Sequence, residues 1–254
     1  MKGKISAYHL KLFALLFMVI DHVHTNLGVG PYWVSILPRF VAPLFTFFIV
    51  EGFFKTSSRK NYIKRTFLFA LIMQAGNIII NIIFNVTDYY TGKMTFYSVM
   101  EGNNIFLTLG VFLLLMTFLE KIRKKEEKIK NIFLFILFSF LTLFTEGGIE
   151  LYPMLLIMYF FYGNKKKISI GIALWSLLLF IKAYISYYAG ATGLNLIRTL
   201  SFSAEWAMVF VIPFIYLYSG ERGRNDSFAK WMFYIIYPLH LWILYIIRLG
   251  VLGK

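Results

Sequence analysis

Several ionisable side chains of this chain stand inside or at the ends of long apolar runs. The run ALLFMVI ends in Asp21, His22, Val23 and His24; Arg39 lies in PRFVAPLF, Glu51 in FIVEGFF and His240 in YPLHLW. A charged group at mid-membrane costs at least about 2.5–3.5 kcal/mol on insertion scales, so such groups usually face an interior cavity and mark function. A neutral imidazole is the usual proton acceptor near pH 7. A guanidinium can hold developing negative charge. Two classes of function follow: acid–base catalysis within the membrane, or passage of protons or anions through it. The chain has no Cys, which removes disulfides, thiolate nucleophiles and Cys-ligated metals. No metal site is expected.

Each residue also has a purely structural role open to it. Asp21 and Arg39 can form an ion pair that joins two helices. His24 can sit at the outer interface. His240 can bond across helices, and Pro238 adds a local partner by freeing the carbonyl of Tyr234. Spacing narrows the pairing. Adjacent helical residues point about 100° apart, so Asp21 and His22 do not share a face, whereas Asp21 and His24 do. A base at His22 needs an orienting group from another helix, or a distorted helix end around Thr25 and Asn26.

The elements that must position these groups follow from composition. The 254 residues are 59% hydrophobic, 20% aromatic and 15% charged, against about 45–50% apolar and about 25% charged in a soluble domain. The expected fold is an all-α, polytopic bundle of transmembrane helices forming a single domain over 1–254. The start of the chain resembles a signal peptide, but no A-x-A-like site follows, so it reads as a retained first helix. Apolar runs at 8–25, 32–54, 65–86, 103–120, 131–145, 150–163, 168–188, 203–218 and 230–248 give about nine spans, within eight to ten. The runs at 131–145 and 150–163 are short. They are two thin spans or one re-entrant hairpin around TEGGIE, which would carry Glu146 into a functional cavity.

The net charge of +14 does not point to nucleic acid, because its Lys and Arg cluster in short connections. The segments 1–11, 55–65, 121–130, 164–167 and 219–230 hold most of them, and the alternate segments hold few. The N-terminus is therefore expected in the cytoplasm. With about 1.5 Å of rise per residue, Asp21 and His22 lie about 16–18 Å in from the cytoplasmic side. Arg39 lies about 10 Å down from the outer side and His240 about 15 Å up from the inner. Three helices thus bring these groups to a similar depth. Glu51 falls near the inner surface.

LKLFALLFMVIDHVH, PRFVAPLFTFFIVEGFFKTSSRKNYIKR, NIFLTLG, FVIPFIYLYSGERG and FYIIYPLHLWILYIIR together resemble the TraX family, in order over nearly the whole chain. The family's best-known role is acetylation of the amino terminus of a conjugative pilin. It is similar in turn to membrane acetyltransferases of the heparan-glucosaminide N-acetyltransferase type. The resemblance implies transfer of an acetyl group from cytoplasmic acetyl-CoA to an amine or hydroxyl acceptor: a pilin-like peptide amine, a sugar or a glycolipid. It implies a multi-pass protein of a cell membrane, the bacterial inner membrane, with the lipid bilayer as partner. By motif match His22, Asp21, Arg39 and His240 would be catalytic and Glu51 would contact the acceptor; Glu146, in a stretch only loosely like the family's, and His24 are added as acceptor contacts from their place in the chain. Arg59, Lys60 and Arg65, with Arg222 and Arg224, could hold the phosphates of CoA, although topology and anionic headgroups explain the same clusters. The region 164–202 matches nothing in the resemblance. The alternative is a proton- or anion-coupled transporter using the same His, Asp and Arg level, for which internal repeats would be expected; none is visible.

Overall fold

The computed structural model describes residues 3–190 and 193–251. Lys254, which enters the charge count, lies outside them. The described chain is helical, and its strand-like pairing is an isolated parallel bridge between Ile5 and Tyr218. The elements are α1 (Ala7–Leu27), a 3-10 segment Tyr32–Phe40 running into α2 (Val41–Lys55), α3 (Arg59–Ile83), α4 (Phe96–Met100), α5 (Ile105–Arg123), α6 (Lys128–Thr142) and α7 (Gly148–Phe160). They continue with α8 (Lys165–Tyr188), α9 (Leu196–Phe202), a 3-10 segment Ala204–Phe210, α10 (Val211–Leu217) and α11 (Ser227–Gly250).

Each apolar run of the sequence carries helix, but not each is long enough to cross a bilayer. Among the described residues 6 helices pass by length and hydropathy, or 7 if the pair Leu196–Phe202 and Ala204–Leu217, bent by 69°, is one span. α6 has 15 residues and α7 has 13, short of the roughly 20 that a span needs. The small helices α4 and α9 were not visible as periodic runs.

Local chemistry sets the ends. Gly28 closes α1 in the left-handed region (φ 70°), its N–H bonded to the carbonyl of His24, a common helix stop. Ser58, Asn104 and Asn164 cap α3, α5 and α8 by accepting backbone N–H bonds; such a cap contributes about 1 kcal/mol. The tight winding of Tyr32–Phe40 includes Pro38, which has no N–H to give to an α-helical ladder.

The chain divides into two compact units, Met1–Glu51 with Glu150–Phe233, and Gly52–Ile149 with Tyr234–Lys254. In the first, α1 packs on the 3-10 segment 32–40, the two 3-10 segments pack on each other, and α8 covers the second of them. Leu44, Leu151, Met154, Leu155, Met158, Ile172, Val211 and Ile215 are buried there. In the second, α5 lies between α3 and α6, around Phe53, Met73, Phe112, Leu113, Leu115 and Met116. Lipid is as apolar as leucine, so close packing and polar bonds must hold such helices together. Gly76 shows the closeness: a Cβ added there would stand 2.1 Å from the indole of Trp242 on α11.

Candidate functional site

In the first unit α1 meets the 3-10 segment that carries Arg39. The 3-10 winding changes the depth of that residue. At about 2.0 Å per residue, Arg39 lies about 14 Å below Tyr32 rather than 10 Å. On the membrane placement expected from the sequence, Asp21, eleven residues beyond Leu10, would stand about 16 Å into a core about 30 Å thick, and so about 14 Å from its far boundary. On that placement the two groups would share a level more closely than uniform α-helix gives.

They do not form the expected ion pair. No contact within 4.0 Å joins them, although Arg39 and His24 are the charged groups that act on Asp21. Asp21 Oδ1 and Arg39 Nε are each buried without a hydrogen-bond partner. An unmet buried polar atom usually costs about 1–3 kcal/mol, and two within one electrostatic neighbourhood make an incomplete polar site. Depth could be counted from the sequence, but the direction of each side chain around its helix could not.

The neighbouring polar groups are tied down. His24 donates through Nδ1 to the carbonyl of Val29 at 2.6 Å, so its ring braces the loop after α1. Thr25 donates to the carbonyl of Asp21 at 2.9 Å, and Asn26 to that of His22 at 2.9 Å. His22 itself is partly buried. At the other end of the unit, Tyr218 donates to Glu51 at 3.4 Å, and the Lys165 ammonium donates to the carbonyl of Tyr218 at 2.9 Å. Glu51 thus belongs to a polar cluster with Tyr218 and Lys165.

Arg222 and Arg224 are exposed on a loop clasped to the start of α1. Ile5 N–H bonds Leu217 O, Ser219 N–H bonds Ile5 O, Ala7 N–H bonds Glu221 O and Tyr8 N–H bonds Arg222 O, at 2.9–3.1 Å. Arg224 pairs with Asp226. The carboxyl of Asp226 is held below its ordinary value, first by the N–H of Ala229 and then by Arg224.

The second unit holds the other expected residues. Arg59 pairs with Glu120, donates to the carbonyl of Phe53 and lies over that ring, which makes it a structural tie more than an open anion receptor. Lys60 is exposed. Arg65 donates to Tyr234 at 3.1 Å and lies over the rings of Tyr62 and Tyr234. His240 is partly buried beside Tyr237, with Nδ1 against the carbonyl of Ile236 at 2.7 Å. The carbonyl accepts, so Nδ1 carries the proton and the neutral ring presents Nε2 as its acceptor.

Glu146 is the centre of a network that the sequence reading largely missed. Its carboxylate accepts from Asn103 at 2.9 Å and from Tyr237 at 3.2 Å, and its main-chain carbonyl accepts from Thr108 at 2.8 Å. Tyr237 accepts in turn from the N–H of Ile105 at 3.2 Å. Asn104 reaches Ala70 and Gln74, Gln74 the carbonyl of Met100, Asn77 that of Asn103, and Asn81 those of Val99 and Glu101. A signal was present: Gln74, Asn77 and Asn81 repeat at helical spacing inside an apolar run, which places them on one face of α3. Among the described residues no cluster of His, Asp and Glu is arranged to hold a metal.

The comparisons agree with the resemblance drawn from the motifs. A family model described as TraX protein matches residues 6–248. A relative from Dichelobacter nodosus, described as probable fimbrial assembly protein FimC, serogroup H1, is 27% identical over 246 residues, covering 94% of either chain. No solved structure matches.

Proposed function

The chain belongs to the TraX family, and from that membership we propose that it is a membrane-embedded acetyltransferase. It moves an acetyl group from acetyl-CoA to an amine or hydroxyl acceptor. The observation that carries the reading within the chain is the incomplete polar site of Asp21 Oδ1 and Arg39 Nε, next in sequence to His22. His22 takes the proton of the acceptor as the acceptor atom attacks the thioester carbonyl. Arg39 donates to the oxyanion that forms, which is what an unfilled buried N–H is suited to do. Asp21 balances the guanidinium between turnovers. The carbon–sulfur bond then breaks, and the proton held by the imidazole neutralises the departing CoA thiolate.

His240 is the second candidate base, because its bond to Ile236 leaves Nε2 as the acceptor. Arg65, Arg222, Arg224 and Lys60 are the remaining candidates for the CoA phosphates, Arg59 being engaged by Glu120. The description of the bacterial relative as a fimbrial assembly protein favours a pilin-like peptide amine as the acceptor, with sugars and glycolipids as alternatives. The membrane is a bacterial inner membrane with the N-terminus in the cytoplasm.

Purified protein in nanodiscs, given acetyl-CoA and a peptide or amino-sugar acceptor, should release free CoA thiol in step with acetylated acceptor. A transporter using the same charges would release none, and proton or anion flux in proteoliposomes without thiol release would replace the proposal.

A further inference from the structure

The helices around Glu146 stop too soon on the side away from the basic clusters. The apolar part of α5, from Ile105 to Leu119, rises about 22 Å, and so does α6, against a core about 30 Å thick. Both therefore end about 8 Å short of the outer boundary. Two non-helical stretches meet there, residues 101–104 before α5 and 143–147 after α6, joined by Asn103 on Glu146 and Thr108 on the Glu146 carbonyl. The first stretch does not lie over the top of α3 but runs down its flank: Asn81 holds the carbonyls of Val99 and Glu101, Asn77 that of Asn103, and Ala70 accepts from Asn104.

Non-helical backbone at membrane depth is tolerated only where protein buries it or water reaches it. Here protein buries only part of it: Asn104 is buried and Thr145 and Glu146 are half-buried, but Glu101, Gly102, Asn103 and Gly147 are exposed. The charge of the place is acidic on balance, two carboxylates against the guanidinium of Arg248, which with Glu101 acts on Tyr245. Glu101 and Glu146 bring carboxylates, and the side-chain partners of Glu146 are the neutral groups of Asn103 and Tyr237. We propose that this unit contains a water-filled vestibule, open on the side opposite the basic clusters, floored by Asn103, Glu146 and Tyr237, that admits positively charged, water-soluble groups. It requires only the geometry of this unit and stands whether or not acetyl transfer is the chemistry.

The test uses the full chain in cell membranes, where the absence of native Cys removes background. Asn103→Cys and, as an independent position, Glu101→Cys are exposed to membrane-impermeant thiosulfonate reagents from outside. Ile79→Cys, on the lipid side of α3 at 57% exposure and two residues beyond Asn77, marks the same depth. Both vestibule positions should react at least about tenfold faster than Ile79→Cys, the contrast expected between wet and lipid-facing sites. Equal reaction at all three would mean that the bilayer simply thins around short helices, and no reaction at either vestibule position would mean a sealed interior; either result overturns the proposal.

Charge preference is the second arm. One carboxylate about 6 Å from the thiol at the dielectric of water should change the ratio of cationic to anionic reagent rates about tenfold. In the Asn103→Cys background, Glu101→Gln and Glu146→Gln should each lower that ratio towards that of a free thiol, while a neutral reagent keeps its rate and so reports an intact fold. A ratio unmoved by both substitutions would refute the charge assignment.

Discussion

Replacing Arg39 separates the catalytic reading of the Asp21 level from a structural one. Arg39 Nε is buried and makes no hydrogen bond, and no ion pair within 4.0 Å joins it to Asp21. Arg39→Gln therefore removes no formed bond and leaves a shorter side chain that can still donate. The fold should lose less than about 1 kcal/mol, since breaking a made buried ion pair, at about 3–5 kcal/mol, is not what the substitution does. Turnover should behave differently. Loss of one donor to an oxyanion typically costs about 10²–10³ in rate, and a neutral amide restores only part of it. Arg39→Lys keeps the charge without the fork of N–H groups and should fall between. The assay is thiol release from acetyl-CoA in nanodiscs beside thermal unfolding of the same preparations. Normal turnover in Arg39→Gln would refute the oxyanion role. A large drop in unfolding temperature with a proportionate drop in rate would show that Arg39 is a structural counter-charge.

Two further outcomes are expected. Tyr237→Phe leaves both the N–H of Ile105 and one carboxylate oxygen of Glu146 without their partner; at about 1–3 kcal/mol for each orphaned group, stability should fall by about 2–6 kcal/mol in denaturant unfolding, and a loss under about 0.5 kcal/mol would show that the hydroxyl does not hold the network together. For Asp226 the folded carboxyl is held below its ordinary value of 3.8, so its contribution is present above that pH and is lost as pH falls through the lower folded value. The gap in unfolding temperature between the wild type and Asp226→Ala should therefore close below about pH 4; a gap that persists at lower pH would show that the first turn of α11 does not depend on that charge.

Much of the architecture was legible because apolar run length reports helices directly. Each of the nine runs carries helix. What was not legible has physical reasons too. Rotation around a helix axis depends on packing, so depth could not decide whether Asp21 and Arg39 pair, and Asp21 Oδ1 and Arg39 Nε are in fact without hydrogen-bond partners. The winding of Tyr32–Phe40 depends on a local balance of hydrogen bonds and Pro38 that periodicity does not record. Run length did show that α6 and α7 are short, but not whether they are two thin spans or one hairpin, because polar residues near a turn read the same inside the bilayer and at its edge. The buried role of Glu146 and Tyr237 depends on partners tens of residues away. Gln74, Asn77 and Asn81 were visible as a stripe, yet their partners are backbone carbonyls, which sequence does not mark.

The most direct test of the central claim compares acetyl transfer by His22→Ala, His24→Ala and His240→Ala at matched expression. Removing a general base typically costs about 10²–10⁴ in rate. His22→Ala should lose that much while the protein stays folded and binds CoA as before. His24→Ala, which gives up its brace to Val29, should lose far less. Near-normal turnover in His22→Ala together with collapse in His240→Ala would move the base to α11, and near-normal turnover in both would contradict histidine catalysis in this chain.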